Sequence, residues 1–129
     1  MATLFTKIIQ GKIPCHKIWE DESFFAFLDI CPIAPGHTLV VPKIEVDSVF
    51  DLELNNYADL FLACRTVQQG LFAALPCTRI GMMVAGLAVP HAHVHLVPMQ
   101  GEGDLNFLNA KKGNPEELAN LALSIRKFF

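Results

Sequence analysis

Three of the chain's five histidines fall within five residues. His91, His93 and His95 stand at every second position of Val89-Pro90-His91-Ala92-His93-Val94-His95-Leu96-Val97. In an extended strand, successive side chains point to opposite faces. The three imidazoles therefore share one face, and Ala92, Val94 and Leu96 share the other. Neighbouring imidazoles are then about 6.5–7 Å apart.

Three readings of that face compete. A wet strand face would accept Ser, Thr, Lys or Glu as readily as His, so three histidines in a row argue for chemistry. A zinc site requires the rings to converge at about 2.0–2.1 Å on the metal, and no adjacent His, Asp or Glu supplies a further ligand or an orienting carboxylate. Covalent catalysis requires one neutral imidazole as nucleophile, its second nitrogen held by a hydrogen bond. A second histidine then donates to the developing or departing group. Phosphorus suits such a nucleophile, because a phosphoryl or nucleotidyl imidazole is reactive enough to hydrolyse in a second step.

The elements that position these rings can be read from hydrophobic period and turn chemistry. In "TLFTKIIQGKIP", Leu4, Phe5, Ile8 and Ile9 lie on one side of a short helical turn ended by Gly11 and Pro14. "HKIWE" and "FFAFLDI" read as strands around the polar turn "DES". "DICPIAPGH" is a loop, and "TLVVP" an apolar strand. A helix is expected from about Leu52 to Leu75, with Tyr57, Leu60, Phe61, Cys64, Val67, Leu71 and Leu75 on its buried stripe and Pro76 ending it. "RIGMMVA" and "AHVHLVP" read as two strands joined by a tight connection at Gly86, and Gly101 to Gly113 as a loop. Asn114 caps a last helix, with Pro115 at its first position, Glu117 reaching back, and Leu118, Leu121, Ala122, Ile125 and Phe129 facing inward. This pattern predicts a single α+β domain over residues 1–129, with a mainly antiparallel sheet, one long central helix and a C-terminal helix.

Composition narrows the partners. The 129 residues are 52% hydrophobic and 18% charged, which excludes a disordered tail and favours burial of some apolar surface against a second copy. With a net charge of −3 and scattered basic pairs, no nucleic-acid partner is expected. Residues 80–101 lack Asp, Glu, Lys and Arg, yet two prolines and three histidines there argue against a membrane span. Lys7 and Lys12 interrupt any leader-like apolar run, so a soluble, cytoplasmic protein is expected. Cys15, Cys31, Cys64 and Cys77 form no Cys-x-x-Cys pair and read as free thiols.

His91-Ala92-His93-Val94-His95-Leu96-Val97 resembles the His-φ-His-φ-His-φ-φ signature of the histidine triad (HIT) family, φ being hydrophobic. "TLFTKIIQGKIP" and "FFAFLDICPIAPGHTLVVPK" resemble the same family in order and spacing, so the likeness runs from Thr3 to Pro98. It is similar to the branch of small nucleotide-binding hydrolases that act on phosphoramidates or dinucleoside polyphosphates. The resemblance implies His93 as nucleophile on the α-phosphorus, His95 at the phosphate and leaving group, His91 orienting His93 through its backbone carbonyl, and His37 packed behind the triad. It also implies Asp29 as ribose ligand and Leu4, Phe5, Ile8, Phe27 and Ile30 around a purine base. A homodimer is implied, with no cofactor and no metal in the chemical step.

The chain departs from the family at the phosphate. Gly86-Leu87-Ala88 stands where the family usually has Gly-Gln-Ser or Gly-Gln-Thr, an expected Asn on the preceding strand is missing, and Met99 replaces a frequent Arg. Two further readings therefore accompany hydrolysis: a nucleotide-binding module without turnover, and a metal site on His91, His93 and His95.

Overall fold

The computed structural model describes residues 2–129. The elements run α1 (Leu4–Ile9), β1 (Lys17–Glu20), β2 (Phe24–Leu28), β3 (Thr38–Pro42), α2 (Leu54–Ala74), β4 (Arg79–Met83), β5 (Val94–Met99) and α3 (Pro115–Arg126). The five strands form one sheet in the order β1-β2-β3-β5-β4, every neighbouring pair antiparallel. The expected α+β architecture is the observed one.

Both faces of the central strands are covered, so β2 and β3 are buried at every position. On one face Ala26, Val40, Val94 and Leu96 pack against Leu60, Cys64, Val67 and Leu71 of α2 and Ala122 and Ile125 of α3. On the other, Phe25, Phe27, Leu39 and Val41 pack against Phe5 and Ile8 of α1. Leu39 pairs with His95 across the β3–β5 ladder. Directly opposed residues share a face, so His95 belongs to the side covered by α1.

The connection between β4 and β5 is not tight. Residues 84–93 carry no strand, the ladder ends at the Met83–His95 pair, and His91 and His93 precede β5. Gly86 makes the turn with φ +77°, a conformation that side-chain-bearing residues rarely adopt. A Cβ there would meet nothing within 4 Å, so the glycine is needed for its backbone angle and not for close approach.

Two further details differ from expectation. Asn114 caps α3 by accepting the N–H groups of Glu116 and Glu117, so the contact runs from the Asn side chain forward. Phe129 lies beyond α3 and sets its ring on Gly70 of α2, where a side chain would have no room. Among the described residues, no helix is long and apolar enough to cross a membrane.

Candidate active site

Between α1 and the sheet lies a cavity of about 260 Å³. Leu4, Phe5, Ile8, Phe27 and Ile30 all line it, as do Asp29, Ala88, His93 and His95. Helix α1 holds its place because Thr3 caps it and Phe5 and Ile8 are its two buried side chains. Two larger hollows of about 520 and 580 Å³ run along Ile33–Pro35, but neither is lined by a histidine.

His91, His93 and His95 are all buried, which removes the solvent-facing reading. Their hydrogen bonds make them unequal. Nδ1–H of His93 donates to the carbonyl of His91 at 2.7 Å. A carbonyl only accepts, so the uncharged ring keeps its lone pair on Nε2. Nε2–H of His91 donates to the Pro42 carbonyl at 2.8 Å, while its Nδ1 receives the Thr3 hydroxyl at 2.8 Å.

His37 works through His95. Its Nδ1 accepts the N–H of Ile33 at 2.9 Å, which puts its own proton on Nε2. That Nε2–H donates to Nδ1 of His95 at 2.9 Å. His95 therefore carries its proton on Nε2, and it flanks His93 with ring centroids 5.1 Å apart. Gly36, just before His37, has φ +91°, and a Cβ there would collide with Leu75, so the approach to His37 requires glycine.

Burial keeps His37, His91 and His95 uncharged. Desolvation pushes His37 down to about 4, and desolvation with the nearby His37 and His93 pushes His95 down to about 4. His91 is lowered too, chiefly by desolvation.

The three-histidine metal clamp does not assemble. Both ring nitrogens of His91 are committed elsewhere, to Pro42 and Thr3. Among the described residues, the cluster with ligand atoms close together is Asp29, His37 and His95, within 4.8 Å of one another. There His37 and His95 turn their facing nitrogens on each other with a proton between them, a poor fit for a cation.

Asp29 directly follows β2, and its two carboxylate oxygens have different surroundings. Its Oδ1 accepts the N–H of Cys31 at 2.8 Å and so opens the turn after β2. Its other oxygen lies 3.6 Å from Nε2 of His37, and the residue lines the cavity. Desolvation raises its pKa, against the bond from Cys31 and the neighbouring His95 and His93.

Some expected positions fall outside the cavity. Gly86 and Leu87 border a separate hollow with Phe50, Val84 and His93, and Leu87 is 97% exposed. His37 and His91 support the site from behind. Sequence reasoning missed Ile13, Pro14, Cys15, Leu28, Leu39 and Val89, which complete the cavity wall. It also missed Phe107, whose ring stands edge-on to His95 with centroids 5.0 Å apart. No periodic signal marks Phe107, which sits on a short 3-10 turn, Phe107–Asn109.

The HIT domain model matches residues 10–102, most of the chain and all of the histidine cluster. The chain belongs to the HIT family. HIT proteins are nucleotide-binding hydrolases, and this HIT chain is 33% identical to the protein hit of Bacillus subtilis, over 96% of its own length and 92% of that protein's. It is 32% identical to an adenosine 5'-monophosphoramidase of Schizosaccharomyces pombe, over 79% of this chain and 77% of that one. A bis(5'-nucleosyl)-tetraphosphatase of the same yeast is 38% identical, over 77% of this chain and 59% of the other. A HIT-like protein from Bartonella henselae superposes with a TM-score of 0.85 at 27% identity, covering 98% of this chain and 96% of that one.

Proposed function

We propose that the chain cleaves a nucleoside monophosphate from an amine or phosphate leaving group through a nucleotidyl-His93 intermediate. The observation that carries this reading is the pair of opposite tautomers, with Nε2 of His93 left as an acceptor and Nε2 of His95 as a donor beside it. In the first step the His93 lone pair forms a bond to the α-phosphorus. The bond to the leaving group breaks and its electron pair stays on the departing nitrogen or oxygen, which takes a proton from water while the Nε2–H of His95 donates a hydrogen bond to it. In the second step water attacks the phosphorus and gives up a proton to the surrounding water, and the electron pair of the P–N bond goes back to His93. The His91 carbonyl supports the charge that grows on the imidazole ring.

Asp29 supplies a free carboxylate oxygen for ribose hydroxyls, and the slot between α1 and β2 accepts the base. An apolar slot selects by shape and stacking, so either purine fits it. Incubation with an adenosine phosphoramidate should release AMP, and His93→Asn should abolish release; full activity in that variant would falsify the assignment.

A binder without turnover is favoured by one observation: Leu87 and Ala88 are exposed and offer no side-chain donor. An acid-labile nucleotidyl adduct on quenched protein would exclude it. The chain is further proposed to act as a cytoplasmic homodimer. Support for the dimer lies in β4, a sheet edge whose Met82 is 51% exposed, with Val84 exposed just beyond it. A monomer by sedimentation at micromolar concentration would overturn it.

A further inference from the structure

We propose that Thr3 and Glu45 are positioning residues for His93, tying the helix over the base slot to the backbone that sets the nucleophile's tautomer. The inference rests on His93 being the nucleophile. Thr3 makes three bonds at once. Its hydroxyl accepts the N–H of Thr6 at 3.1 Å and donates to Nδ1 of His91 at 2.8 Å, while its own N–H donates to Oε1 of Glu45 at 2.7 Å. Thr6 adds its hydroxyl to the same carboxylate oxygen at 2.7 Å.

Glu45 is exposed, and among the described residues it forms no ion pair. Its contacts are those neutral donors from a segment about forty residues away. A carboxylate used in this way fixes the start of α1 to the chain leaving β3. His91 is the pivot between the two. Its Nε2–H is held by Pro42 at the end of β3, its Nδ1 by Thr3, and its carbonyl holds Nδ1–H of His93. Phe5, in the first turn of α1, stands edge-on to both rings, 5.7 Å from His91 and 5.0 Å from His93 between centroids. The start of α1 and the carbonyl that orients the nucleophile are therefore held by one set of bonds, which runs through Thr3 and Glu45 and not through the body of the helix.

Steady-state kinetics on an adenosine phosphoramidate tests this. Thr3→Val should lower kcat about ten- to a hundredfold, since small misplacements of a reacting group carry losses of that order. Thr3→Ser keeps the hydroxyl and should restore kcat. Glu45→Ala, at an exposed position that endangers folding least, should lower kcat several-fold, and Glu45→Gln, which retains the acceptor, should recover it. Lys7→Gly weakens α1 at an exposed site outside these bonds, and should raise KM while leaving kcat intact. Wild-type kcat in Thr3→Val and Glu45→Ala overturns the proposal, as does an equal kcat loss in Lys7→Gly. Should the wild-type chain release no AMP, the catalytic reading fails on its own. The proton on Nδ1 of His93, followed by NMR in nitrogen-15-labelled protein, still reads the positioning. It should be protected in the wild type and exchange away in Thr3→Val and Glu45→Ala; its persistence in both variants overturns the proposal.

Discussion

His37 donates from Nε2 to Nδ1 of His95 at 2.9 Å, and this one bond decides which nitrogen of His95 carries a proton. The direction is set a step further back, where the N–H of Ile33 occupies Nδ1 of His37. His37→Leu removes the relay and lets His95 take either tautomer. It also leaves the Ile33 N–H without its partner, which costs about 1–3 kcal/mol when buried. The expected outcome is a kcat for AMP release lower by about tenfold or more. The melting temperature should also fall, by roughly 4 °C per kcal/mol lost. Unchanged kcat with a lowered melting temperature would reduce His37 to a packing role.

The same burial makes stability depend on pH in a defined window. His37 and His95 titrate at about 4 in the folded chain, against an ordinary value of 6.5. Between those values the unfolded chain binds protons that the folded chain refuses. Stability is thus fully present above pH 6.5 and is lost as pH falls toward 4, by up to about 1.4 kcal/mol per pH unit for each ring. Asp29 acts in the opposite sense, because its raised pKa favours the folded state at low pH, with full effect below 3.8. The melting temperature should therefore hold from pH 8 to 7 and fall below 6.5. His37→Leu should show a shallower fall, since one of the two rings is gone; an equal slope would mean that other groups control the acid limb.

Phe107 shields His95, the ring whose Nε2–H faces the leaving group in the proposed reaction. Its edge-on contact at 5.0 Å comes from outside the cavity wall, and the residue is itself 45% exposed, so removing it opens a water path to His95 without emptying the core. Phe107→Ala should raise the pKa of His95 from about 4 toward 6.5, because desolvation is the first cause of its depression. Proton NMR titration of the His95 ring reads this directly. Leu108→Ala, at a 91% exposed neighbour on the same turn, should leave the titration alone.

Much of this was legible in the residue pattern, for physical reasons that also mark its limits. Alternation along Ala92–Leu96 separates the α2 core from the histidine face, and the observed packing follows it even though β5 begins only at Val94. The strand boundary was not legible, because "IGMMVAGLAV" is apolar throughout and nothing in it says where β4 loses its ladder partner. The base slot's residues could be assigned only through resemblance, since an apolar wall and an ordinary core have the same composition. The link from Thr3 to Glu45 had no local signal at all: two polar residues 42 positions apart meet only once the sheet has folded.

The phosphate side offers a gain-of-function prediction. Leu87 is 97% exposed and Ala88 is exposed at the rim of the cavity beside His93 and His95, so neither contributes to the core. Replacing them with the polar pair usual in the family should leave folding intact and return donors to an anionic phosphate. A hydrogen bond to a charged group contributes about 1.5–3 kcal/mol, which is roughly ten- to a hundredfold in rate when formed in the transition state. Leu87→Gln with Ala88→Ser should therefore raise kcat/KM for an adenosine phosphoramidate by about tenfold or more. If the gain lies in kcat, the new donors act on the transferring phosphoryl group; if it lies in KM alone, they hold substrate and transition state equally. No gain in either would mean that backbone groups of the Gly86 turn already satisfy the phosphate, and that the apolar pair is no handicap.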